Sequence, residues 1–236
     1  MTAIWRRELQ SYFYTPVGYV FMGVFLTLSS VMFYLQIMQQ RSSDLLSFIG
    51  QMSYLWMLLT PILTMRSFAG ERKARTDQLL LTSPVSLWGV VGGKFLAACA
   101  VLLCSVALSL VFVLIVALHG QVYPQELAVG YLGFILQGCA FIALDMLISA
   151  QCRATMTAAI VAFGGNLLLW LMDVLNAAID IKIVNSILTF ISPYQRCAPF
   201  KLGQLSFANA LYFVAAIFLC LFFSVRTLDA RRWREA

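Results

Sequence analysis

Six long apolar runs leave this chain of 236 residues little freedom in what it can fold into. A helix needs about 20 apolar residues to cross roughly 30 Å of hydrocarbon. Stretches of that kind occur at about 17–38, 47–65, 87–118, 127–150, 154–175 and 208–225. Within lipid every backbone amide must find its partner inside the element, so such runs are helices. With 11% charged residues, against about 25% in a soluble domain, no separate soluble domain is expected. The reading is an all-α polytopic membrane protein with six transmembrane helices in a single domain, 1–236. The first run is too long for a signal core and no clear small-residue cleavage site follows it, so it is read as a retained span.

Lys and Arg orient the spans. With the N-terminus inside, Arg6, Arg7, Arg66, Arg72, Lys73, Arg75, Lys94, Arg153, Arg226, Arg231, Arg232 and Arg234 lie at or near the cytoplasmic face; Arg41, Lys182, Arg196 and Lys201 lie outside. That excess places both termini in the cytoplasm and accounts for the net charge of +6 without nucleic acid. The six cysteines, Cys99, Cys104, Cys139, Cys152, Cys197 and Cys220, form no CxxC pair, so neither a disulfide framework nor a zinc pattern is read. His119, the lone histidine, sits at the outer end of the third span and cannot build a histidine-rich metal site. The glycine-rich run 89–95, ending Lys94-Phe95, is too short for a phosphate loop and lacks the Ser or Thr after its Lys.

Two segments are neither span nor ordinary loop. Trp5, Leu9, Tyr12 and Phe13 recur on one helical face before Pro16, which reads as an amphipathic helix over 1–16 lying in the inner interface. Residues 176–207 are too apolar for a free loop and too charged for a clean crossing. They read as a re-entrant outer helical pair broken at Ser192-Pro193. The third apolar segment, taken as one helix from Pro84 to Leu118 with Ser83 as N-cap, would be about 52 Å long. Its start should therefore project toward the cytoplasm, with Trp88 at the interface, Lys94 snorkelling back to it, and Gly92 and Gly93 allowing a bend or a close neighbour. Ionisable groups inside spans call for an explanation. Asp145 has Arg153 or Lys94 as expected partner, Asp173 has Lys182, and Asn166 is expected to hydrogen-bond across a helix interface. Structural pairing is favoured over a proton relay.

The one long polar stretch between spans is 66–86, where Glu71, Arg72, Lys73, Arg75 and Asp77 precede Leu79–Leu81 and Thr82-Ser83-Pro84. Glu71 and Arg75 are spaced to pair along a helix, leaving Arg72 and Lys73 to reach carboxylates of a soluble partner. The pattern ERKARTDQLLLTSPVSLWGVVGGKF, with WRRELQSYFYTPVGYV before it, the six spans, and SPYQRCAPFKLGQLSFANALYF and RTLDARRW after it, resembles the membrane subunit of a bacterial ABC-2 type exporter over nearly the whole chain. Within that family it is most similar to gliding-motility-type permeases and to those near nitrous oxide reductase maturation. Relatives often carry Gly between the charged run and the leucines, where this chain has Ala74 and Arg75.

The resemblance implies a bacterial inner-membrane permease with the cytoplasmic coupling loop at 66–86, two cytoplasmic ABC ATPase copies, and a second permease chain, identical or homologous, all within membrane lipid. ATP and Mg would bind the partner ATPase, with no cofactor on this chain. The function expected is export driven by that ATPase. The alternatives are a membrane anchor or mechanotransmitter serving an extracytoplasmic partner, and an intramembrane enzyme using Asp145, Asp173 or His119.

Overall fold

The computed structural model describes residues 2–14, 16–39, 44–73, 86–119, 122–178 and 192–235. They are almost entirely helical. Helix α1 (Thr2–Tyr14) precedes α2 (Pro16–Phe33), which runs on through a π-helical turn, Tyr34–Met38. Then come α3 (Leu45–Thr64), the short α4 (Ala69–Lys73), α5 (Leu87–His119), α6 (Pro124–Gln151), α7 (Thr155–Ala178), α8 (Pro193–Lys201) and α9 (Phe207–Glu235). Six of these segments are long and apolar enough to cross a membrane: 16–38, 45–72, 87–118, 124–151, 155–176 and 207–230. They coincide with the six apolar runs, the largest difference being the second segment, which runs on to 72 where 65 was read from the sequence.

Local chemistry sets the helix ends. Pro16 and Pro124 each occupy a first helical position, where a missing N–H costs nothing. Asp44 caps α3 by accepting from the Ser47 amide at 3.1 Å. Ser192 caps α8 and Pro193 opens it, so the Ser-Pro break read from the sequence starts this helix. Gly203, with φ of 72°, ends α8 in the left-handed conformation that glycine adopts without strain. Helix α5 begins later than expected. The Ser86 side chain accepts from the Gly89 amide at 3.3 Å and so caps this helix; Ser83 and Pro84, read as its start, lie outside the described residues.

Helix α6 is the central strut and packs against α3, α5, α7, α8 and α9. Between it, α2 and α3 lies an aromatic core. Trp56 is fully buried, with Phe21 and Phe25 edge-on at 5.4 Å each and Phe134 at 6.2 Å. T-shaped pairs of this kind add about 0.5–1.5 kcal/mol beyond area burial. Helix α8 slots into the bundle obliquely. Its first turn puts Tyr194 against Met57, Phe141 and a stacked Tyr54, midway along α3 and α6, while its last turn reaches Gly50 and Gly130 nearer their ends. Of the segment 176–207 read as a re-entrant pair, residues 179–191, Lys182 among them, lie outside the described residues.

Glycine sets two close approaches. A Cβ at Gly133 would fall 2.4 Å from Phe200 Cβ, and one at Gly18 would fall 2.5 Å from the Tyr12 carbonyl oxygen. Gly133→Ala should therefore push α8 off α6 and cost about 1–3 kcal/mol, whereas Gly164→Ala, which meets nothing within 4 Å, should be neutral or slightly stabilising. Thermal unfolding of the two purified variants checks the contrast.

Candidate functional site

Helix α5 carries Lys94 in its second turn, inside a segment that is otherwise apolar. A lysine alone there would be costly, and the expectation was that its ammonium snorkels to the interface. It does not. Lys94 is 2% exposed, and its Nζ donates to Glu8 Oε1 at 2.9 Å and to Glu71 Oε1 at 2.8 Å. Glu8 comes from α1 and Glu71 from α4, so one ammonium ties three elements. Arg7 Nη2 adds a longer contact to each carboxylate, 3.5 Å to Glu71 and 3.8 Å to Glu8. Two positive and two negative groups meet with no formal charge left over. The Phe68 ring lies 5.5 Å from the ammonium and closes the site on that side.

Backbone geometry explains why α1 can come so close. Gly93 has no side chain where Ile4 sits; a Cβ would meet Ile4 Cγ2 at 3.1 Å and the Trp5 amide nitrogen at 3.3 Å. The row of α1 turned toward α5 is Ile4, Glu8 and Tyr12, each partly buried, while Trp5, on the apolar face read as interfacial, is 39% exposed. The close-approach role read for the Gly92-Gly93 pair thus falls to Gly93. Tyr12 pins the other end of α1 by donating to the Leu63 carbonyl at 3.3 Å. Burial pushes its phenol up to about 12, with a hydrogen bond to Ser67 opposing and the Glu8 charge adding.

Helix α4 is held from a second direction. Ser149 of α6 accepts from the amides of Phe68 and Ala69 at 3.4 and 3.3 Å, supplying partners that the start of a short helix lacks. Arg72 Nη1 reaches the Cys152 carbonyl at 3.5 Å, just past the end of α6. Of the charged run singled out in the sequence, Glu71 thus faces inward to Lys94, and Arg72 braces the turn between α6 and α7. Lys73 ends α4, its side chain outside the described residues; Arg75 and Asp77 also lie outside them. Glu8 and Ser149 were not foreseen. Glu8 stands in an i, i+4 row with Ile4 and Tyr12, a placement that could have revealed it; Ser149 has no such signal.

Among the intramembrane polar residues, Asp145 finds a partner other than those expected. Asp145 is fully buried, and its Oδ2 accepts from Asn166 Nδ2 at 3.2 Å. Lys94 is committed to α1 and α4, and Arg153 sits on the exposed turn between α6 and α7, so neither is its partner. Asn166 also donates to the Met57 carbonyl at 3.3 Å, the expected bond across a helix interface. Asp173 accepts from Gln195 Nε2 of α8 at 2.8 Å. Cys99 and Cys139 lie 3.5 Å apart through their sulfurs and are not bonded as a disulfide. The side chain of His119 lies outside the described residues.

Residues 21–228 match the model of the ABC-2 family transporter protein. The chain belongs to that family. No curated protein matches it. This ABC-2 protein is thus a multi-pass membrane component of a transporter, and among the described residues its most densely paired charges gather where α1, α4 and the start of α5 meet.

Lys94→Met should be the most damaging single change at this site, because it leaves two carboxylates facing each other in a dry place. The expected cost is about 3–5 kcal/mol, or a fall in melting temperature of roughly 6–20 °C for a chain of this size. Adding Glu8→Gln and Glu71→Gln to Lys94→Met should recover much of the loss. Thermal unfolding in detergent of the single and triple variants measures both.

Proposed function

We propose that the chain is the permease subunit of an ATP-driven exporter in a bacterial inner membrane, with both termini in the cytoplasm. It pairs with a second permease chain, and the two sit on two cytoplasmic ABC ATPase subunits that bind ATP and Mg. The segment 66–86 is the coupling element, and α4 is its rigid root. The observation that carries this reading is the Lys94 ion cluster. A segment pushed from below must transmit displacement instead of bending, and α4 is braced at once by α1, α5 and α6.

In this mechanism ATP binding draws the ATPases together beneath the membrane and displaces the polar stretch beyond Lys73. Glu71 passes the push to Lys94 and so to α5, while Arg72 and Ser149 pass it to α6, the strut against which α3, α7, α8 and α9 pack. Movement of α6 reaches α8, whose Phe200 lies over Gly133. Cargo leaves through or beside the opposite end of the bundle. No bond is made or broken on this chain. The family match supports the transport role.

Copurification of the chain with the ABC ATPases coexpressed from its source tests the reading. The wild type should hold the ATPase. Glu71→Gln should keep the complex but lower its ATP turnover on the order of tenfold, the equivalent of about 1.4 kcal/mol of lost coupling. An ATPase that binds and turns over equally well with Glu71→Gln and with Lys94→Met would contradict it.

A further inference from the structure

The buried pair Asp145–Asn166 is incomplete as heavy atoms alone. Pro61 has no N–H to give the carbonyl of Met57 four residues earlier, and that carbonyl instead accepts from Asn166 Nδ2. The same nitrogen donates to Asp145 Oδ2. Carbonyl and carboxylate oxygens only accept, so the amide must turn its nitrogen toward both. Two oxygens then remain, Asp145 Oδ1 and Asn166 Oδ1, each shielded from solvent and without a donor. Among the described residues no lysine or arginine lies within ion-pair distance of Asp145. The titratable neighbour facing it is the Cys220 thiol of α9. On the α3 side the next polar contact is between Met57 Sδ and the Tyr194 hydroxyl of α8.

An ionised carboxylate here would hold its charge among apolar helices with a single neutral donor, a poorly compensated state. One proton removes both deficits. Placed on Asp145 Oδ1, it cancels the charge and turns an acceptor without a donor into a donor, matching the other orphaned acceptor of the pair, Asn166 Oδ1. We infer that Asp145 and Asn166 form a proton-holding site, a neutral carboxylic acid–amide pair that clamps α3, α6 and α7 together. The proton is taken from water as the helices close and returns to water when α7 separates from α6. Opening along this seam therefore carries proton release with it. Met57 extends the seam to α8 through Tyr194.

Infrared spectroscopy of the full chain in lipid nanodiscs tests this directly, because a protonated carboxylic acid has a carbonyl stretch that a carboxylate lacks. The wild type should show that band, and Asp145→Asn should lose it. Asn at 145 supplies the same donor and acceptor without charge, so its melting temperature should stay within about 2 °C of wild type. Asp145→Leu, with neither group, should fall further. Absence of an acid band assignable to Asp145 overturns the inference. So does an Asp145→Asn protein that is as unstable as Asp145→Leu or fails to fold.

Discussion

One buried ammonium sets the architecture at the α1 and α4 end of this molecule. Lys94 is too deep to be hydrated and too strongly charged to stand alone, so the chain must bring acid to it. The acids come from elements distant in sequence, Glu8 86 residues away and Glu71 23 residues away. Satisfying one side chain therefore folds the N-terminal helix onto α5 and docks α4 beside it. The glycine at 93 is the steric counterpart, since a Cβ there would press on Ile4 and on the Trp5 backbone just beside Glu8. A buried ion pair of this kind contributes specificity more than stability. Any arrangement that separates the three elements strands a charge.

The rest of the bundle follows a second constraint, the shape of α6. Glycines at 130, 133 and 138 flatten the face toward α3, α5 and α8, admitting Leu46, Leu102, Trp56 and Phe200. Large aromatics on the neighbouring helices fill the space that the glycines leave. In lipid there is little hydrophobic gain from helix association, so close packing and buried hydrogen bonds must supply it. Pro61 serves the same end by releasing a backbone carbonyl to Asn166. The result is a core tightly keyed at α6, with the lipid-type side chains of α5, α7 and α9 turned outward.

The six spans and the Ser192-Pro193 break were legible because length, hydropathy and proline act locally. The family resemblance rested on the charged run and the spans, and the match over 21–228 bears it out. The ion cluster was not legible, although all its members were in view. Lys94 was read as snorkelling because a lone cation in an apolar helix usually escapes to water, and nothing local says that two carboxylates will arrive from elsewhere. Asp145 was assigned a cationic partner, Arg153 or Lys94, for the same reason, whereas its partner is the Asn166 amide of α7. Gln195, Ser149 and Phe200 act through contacts that no spacing rule encodes. Pairing across elements is a property of packing, and packing is what a single sequence conceals.

The proposed coupling requires α1, α4 and the start of α5 to move as one body when the proposed partner ATPase binds ATP. The distance between spin labels at Gln10 on α1 and Leu96 on α5, both on exposed positions, reads this in the assembled transporter. The same distance distribution with and without trapped ATP is the predicted result, alongside a change between Leu96 and a label at Met156 on α7. A Gln10–Leu96 distance that shifts by several ångströms on ATP binding would contradict the account.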